Sequence, residues 1–127
     1  MIKVVCLLKK RDGLSDEEFR DYYENHHVKI FAGLLDHPGI KRYVRRYLTP
    51  IADPTTGAVR SAGFDVIMEL WISDQELFET QFQSAQDSDF RALVAEDEAK
   101  LFDRTQMYSY VVDEVESELH RSNHADA

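Results

Sequence analysis

FRDYYENHHVKIFAGLL, residues 19 to 35, is the stretch on which the reading of the whole chain turns. Phe19, Tyr22, Tyr23, Ile30 and Leu34 recur at the three- and four-residue spacing that gathers side chains on one face of an α-helix, while Arg20, Asp21, Glu24 and Lys29 fall on the other. The segment therefore reads as an amphipathic helix whose aromatic stripe needs a surface to pack on. At about 100° per residue, His26 and His27 land on opposite flanks of the stripe, each near enough to its centre to be partly buried. Histidine has the unperturbed pKa nearest neutrality, so a His set among aromatics against a cavity is a candidate acid or base. The same setting suits a structural His that hydrogen-bonds a carboxylate or a carbonyl.

Working outward, the helix is opened by Ser15, with Glu18 three residues on completing a capping box and Asp16 and Glu17 favouring the helix dipole. It is stopped by Asp36-His37-Pro38-Gly39, where Pro38 disfavours helix at His37. Before it, Ile2 to Lys9 is a β-branched and aliphatic run closed by the turn Lys10-Arg11-Asp12-Gly13, and its apolar residues occupy both parities, so both faces of this strand need cover. After it, Ile40 to Leu48 reads as a second strand carrying a basic, aromatic patch. Such patches hold nucleic acid, but they also protect edge strands or pair with the chain's own carboxylates. The turn-rich Thr49 to Gly63 is a long connection, either a gate or slack.

In the third strand, Phe64 to Ile72, one parity holds Phe64, Val66, Met68 and Leu70, and the other holds Asp65, Ile67, Glu69 and Trp71. An acid on a covered strand is either partnered or functional, because an unpaired buried charge costs several kcal/mol. Asp65 and Glu69 are thus candidates for catalysis or for pairing with Arg42, Arg45 or Arg46. Ser73-x-x-Glu76 reads as a second capping box, opening a helix through Leu77, Phe78 and Phe82 that breaks near Ser84 to Ser88. Phe90, Leu93, Val94, Asp97, Leu101 and Phe102 keep helical spacing, and Met107 to Val112 is the last strand. The order β-α-β-β-α-β is that of an α+β, ferredoxin-like split βαβ fold: an antiparallel sheet with helices on one face. Its doubly apolar strands imply that a second copy covers the other face as a homodimer.

The 127 residues suit one domain over 1–115 and a polar tail over 116–127, and the 43% hydrophobic and 31% charged fractions are those of a soluble protein. A net charge of −9 argues against non-specific binding to nucleic acid or anionic membrane. Lone Cys6 makes no intramolecular disulfide, the chain opens on MIKVVCLLKK without a leader pattern, and nothing approaches a membrane span; the expectation is an intracellular, cytoplasmic protein. His120 and His124 stand four apart but without HExxH, so neither metal nor any other cofactor is expected.

Through MIKVVCLLKKRDGLSDEEFRDYYENHH, GFDVIMELWISD and FRALVAEDEAKLFD, the chain resembles the EthD-domain family of dimeric α/β barrels over residues 1 to about 115. The most specific part is F-x-x-Y-[WY]-x-x-x-H, matched by Phe19, Tyr22, Tyr23 and His27, so the resemblance prefers His27 to His26. It implies a cofactor-free protein holding a small, largely apolar aromatic, lactone or polyketide-like substrate in a cavity between helices and sheet. The expected activity is proton transfer of the dehydratase or isomerase kind. His27 is expected to move the proton, Tyr23 and Tyr47 to offer hydroxyls, and Asp65 or Glu69 to orient the imidazole or pair with arginine, with Phe19, Trp71 and Phe102 as further substrate contacts. A cofactor-free oxygenase, a haem-binding protein and a non-catalytic dimeric ligand-binding protein remain alternatives.

Overall fold

The computed structural model describes residues 1–32, 36–83 and 89–120. Four strands form one antiparallel sheet in the order β2-β3-β1-β4: β1 is Ile2–Leu8, β2 Ile40–Tyr47, β3 Val66–Ile72 and β4 Tyr108–Val112. β1 lies between β3 and β4, antiparallel to both, in registers that include Cys6 opposite Met68 and Cys6 opposite Ser109. β2 pairs with β3 through a bulge between Ile40 and Arg42. Each helical connection therefore skips a strand, giving the ferredoxin-like split βαβ arrangement.

The first crossover begins as the sequence dictates. Ser15 accepts from the Glu18 amide at 3.0 Å and Glu18 accepts from the Ser15 amide at 3.1 Å, capping α1, Asp16–Tyr22. The helix continues as a π turn, Tyr23–His27, and one further α turn, α2, Val28–Ile30. Leu34 lies outside the described residues. The second crossover departs from expectation at its start. The cap of α3, Gln75–Phe78, is Asp74, whose carboxylate accepts from the Leu77 amide at 3.1 Å, whereas the Ser73 hydroxyl turns back to the Gly39 carbonyl. A second π turn, Glu79–Gln83, follows; residues 84–88 and the Phe82 side chain lie outside the described set. α4, Asp89–Leu101, then packs back on the sheet.

Val4, Cys6 and Leu8 of β1 and Val66, Met68, Leu70 and Ile72 of β3 are buried beneath the helices with Phe19, Tyr23, Leu77, Val94 and Leu101. The C-terminal end of α4 is fixed to the end of β1 by backbone bonds from Arg11 to Leu101 and from Asp103 to Lys9, both 2.9 Å. That junction holds Phe102 against Phe19 and Tyr23, with ring centroids 5.8 and 5.4 Å apart in edge-to-face contact. The opposite parity, including Val5, Leu7, Val44, Ile67 and Trp71, faces away from the helices and is only half-buried. On β2, an edge strand, the basic patch is matched by the chain's own acids: Arg45 pairs with Glu24 and Arg46 with Glu69. The long connection folds into a small exposed hairpin around the Ala52 and Val59 bridge.

Candidate active site

The π turn decides which histidine faces inward. In a helix of 3.6 residues per turn, positions four apart drift by about 40°. The wider i→i+5 turn from Tyr23 to His27 takes up that drift between those two residues, and Phe19, Tyr23 and His27 are all buried against the core, each at most 2% exposed. His26 is turned to solvent and stacks on Tyr22 at 4.7 Å.

His27 meets a buried carboxylate. Asp97 of α4, 5% exposed, places Oδ2 2.7 Å from His27 Nδ1, and its Oδ1 accepts the Tyr22 hydroxyl at 2.5 Å. A carboxylate so placed acts as the acceptor at both oxygens, so Nδ1 carries the hydrogen and the Nε2 lone pair is left for chemistry. The hydrogen bond to Asp97, with some burial, pushes the Tyr22 hydroxyl up to about 12.

His27 forms part of the wall of a cavity of about 250 Å³ between sheet and helices. Cys6, Leu8, Met68 and Leu70 make its floor, Tyr23, Phe31, Tyr43 and Phe102 its aromatic walls, and Arg91 and Glu98 of α4 a charged side. Burial pushes the Glu98 carboxyl up, an effect that the nearby His27, Arg104 and Arg91 only partly oppose. Burial also raises the Tyr23 hydroxyl well above its ordinary range, helped by the neighbouring Tyr43, and raises Tyr43 as well. Both phenols are therefore neutral donors at neutral pH. The Cys6 thiol is likewise pushed up by burial, although the Ser109 hydroxyl 3.2 Å away opposes it, which leaves a poor nucleophile.

Of the residues singled out from sequence, His27, Tyr23 and Phe102 come together at this cavity. Phe19 packs behind Tyr23 and Phe102 without reaching the lining. Tyr47 donates to Glu24 at 2.7 Å and borders a separate depression with Phe19, Arg20 and Asp65. The expectation that Asp65 or Glu69 orients the imidazole is corrected. Asp65, just before β3, accepts from the Lys10 amide at 2.8 Å; Glu69 projects from the far face of the sheet, where Arg46, 2.8 Å away, holds its carboxyl below the usual range against partial burial. Trp71 shares that far face, between the Lys3 ammonium and the Arg42 guanidinium. The Thr49 to Gly63 connection contributes nothing to the cavity lining.

Asp97, Tyr22, Glu98 and Tyr43 are the members that sequence reasoning passed over. The signal for Asp97 was present: an acid on the apolar stripe of a helix needs a buried partner. His120 is exposed and His124 lies outside the described residues, among which no cluster of three metal-binding side chains stands together. No helix of the described residues is long and apolar enough to cross a membrane.

Comparison with known proteins bears on the family and the fold. Residues 11–105 match the EthD domain family. An EthD family protein from Bacillus halodurans C-125 superposes with a TM-score of 0.59 at 16% identity, over 91% of this chain and 99% of the other. A dimeric ferredoxin-like protein of Thermobifida fusca YX gives 0.52 at 12% identity, over 87% and 88%. The hydroxynitrile lyase of Passiflora edulis gives 0.51 at 14% identity, over 91% and 96%. No curated protein matches the sequence significantly.

Proposed function

We propose that this chain, which belongs to the EthD domain family, is a proton-transfer enzyme of the lyase or isomerase type acting on a small, largely apolar carbonyl compound. The observation that carries the proposal is the buried His27–Asp97 pair in the wall of an apolar cavity. Asp97 fixes the tautomer, steadies the imidazolium that forms when Nε2 takes a proton, and leaves that nitrogen as the base. Tyr43, a neutral donor in the same wall, is placed to hold a carbonyl oxygen as charge develops on it. A cavity of roughly 150 Å³ accepts benzene, so about 250 Å³ suits one substituted ring or a branched chain of similar bulk. That a structural neighbour is a hydroxynitrile lyase agrees with the reaction class but does not carry it.

The test uses cyclohexanone in D2O, with deuterium incorporation next to the carbonyl followed by NMR. The wild-type protein is expected to accelerate exchange, and His27→Ala to lose roughly 10²- to 10⁴-fold of that acceleration. A wild-type protein that catalyses no exchange overturns the proposal.

The half-buried apolar face of the sheet supports a homodimer in this chain as well, built by packing two such faces together, as the dimeric Thermobifida fusca neighbour makes reasonable. An obligate interface of this kind buries upwards of about 2,000 Å².

A further inference from the structure

We infer that Glu98 is the acid that completes this site, so that its reaction is the elimination of water from a β-hydroxy carbonyl compound the size of a single ring. The inference rests on the proton-transfer reading of His27. Asp97 and Glu98 are adjacent on α4 but serve different ends: Asp97 is committed to His27 and Tyr22, whereas Glu98 lines the cavity itself. No side chain among the described residues hydrogen-bonds the Glu98 carboxyl, which is half-buried beside His27, Arg91 and Arg104, with Asp97 adding negative charge. Burial favours its protonated form, the form an acid catalyst needs.

Two proton-handling groups, supplied by the π turn and by α4, reach one cavity. A keto–enol shift needs only one shuttling group. Elimination needs a base at the carbon next to the carbonyl and an acid at the β-oxygen. His27 Nε2 takes the α-proton, the C–H pair becomes the new C=C bond, and the C–O bond breaks as its oxygen takes the Glu98 proton and leaves as water. The imidazolium then returns its proton to the Glu98 carboxylate. The sum is β-hydroxy ketone to enone plus water, with no change of oxidation state and no co-reactant.

The experiment compares two readouts on the whole protein: α-deuterium exchange into cyclohexanone, and formation of cyclohexenone from 3-hydroxycyclohexanone, read by its ultraviolet absorbance. Glu98→Gln is expected to lose about 10²-fold or more of the elimination, at least about tenfold more than it loses of the exchange; His27→Ala loses both. Glu98→Asp, which withdraws the carboxyl by one methylene, also loses more of the elimination than of the exchange and serves if the Gln variant fails to fold. Elimination at the wild-type rate in either Glu98 variant, or a wild-type protein that exchanges without eliminating, overturns the inference. Absence of exchange in the wild-type protein overturns the His27 reading instead.

Discussion

Asp97 and His27 stand 70 positions apart in the chain and 2.7 Å apart in the fold, Oδ2 to Nδ1. Because the Tyr22 hydroxyl occupies the other oxygen, the carboxylate is held from α1 as well as from its own helix. Asp97→Asn keeps the shape but offers an amide in place of an anion, which disturbs the tautomer. Exchange activity should fall by roughly 10²- to 10⁴-fold with the fold retained, whereas Asp97→Ala should also destabilise by about 3 kcal/mol by stranding buried His27 and the half-buried Tyr22 hydroxyl. Exchange rates and chemical denaturation on the two variants separate these effects.

His26→Ala should be mild in both activity and melting temperature, because that ring is exposed and touches only Tyr22 among the described ring contacts. His27→Ala should lose activity at temperatures well below its own melting point. A variant of His27 that is merely less stable, with full exchange activity when folded, would return the residue to a structural role.

Alkaline pH should weaken the fold. The Tyr22 hydroxyl rises from 10.0 to about 12 in the folded state, and Tyr23, Tyr43 and Tyr47 are shifted in the same direction. A folded state that keeps its proton more firmly than the unfolded chain has its full advantage below the unfolded value, about 10, and loses it as pH climbs through the folded one. Melting temperature should therefore fall from pH 10 upward, and Tyr22→Phe should flatten part of the fall. A profile indifferent to that variant would contradict the Tyr22–Asp97 contact.

Much of this could be read from the chain itself, and the exceptions have physical causes. The Ser15 box and the four strands follow from local spacing, and the split pairing from the order of the elements. Asp65 and Glu69 read equally as site residues or as partners of arginine because both parities of β3 carry apolar residues, so alternation fixes which residues share a face without saying which face the helices cover. The Ser73 cap failed because the neighbouring Asp74 is an equally good capping residue and the Ser73 hydroxyl has the Gly39 carbonyl to reach. Asp97 was visible only as an acid among apolar neighbours; its partner lies on another helix, beyond any local motif.

Gly39 tests the packing of the second crossover against the turn after the first. A Cβ there would lie 2.8 Å from Asp74 Cβ and 3.1 Å from Leu77 Cδ2, so the constraint is closeness and not backbone conformation. Gly39→Ala should cost about 1–3 kcal/mol, measured by urea denaturation, with activity preserved while the protein stays folded.

Leu7 tests the far face of the sheet. It lies opposite Ile67 and Tyr108, away from the helices. Leu7→Glu should turn the expected dimer into a folded monomer by light scattering at micromolar concentration. A wild-type protein that is already monomeric there would exclude the dimer.

The π turn carries a consequence for how relatives of this chain are aligned. Were Tyr23–His27 to tighten into ordinary α-helix without losing a residue, His27 would swing about 40° off the line of Tyr23 to one side, with His26 about 60° off to the other. The inward histidine is thus chosen by the backbone hydrogen-bond register of five residues, Tyr23–His27, and not by the side chains themselves. A relative that kept the same spacing on an uninterrupted α-helix would hold its histidine about 40° away from the line of its tyrosine. In such a pair a gapless column of histidines would conceal two different directions.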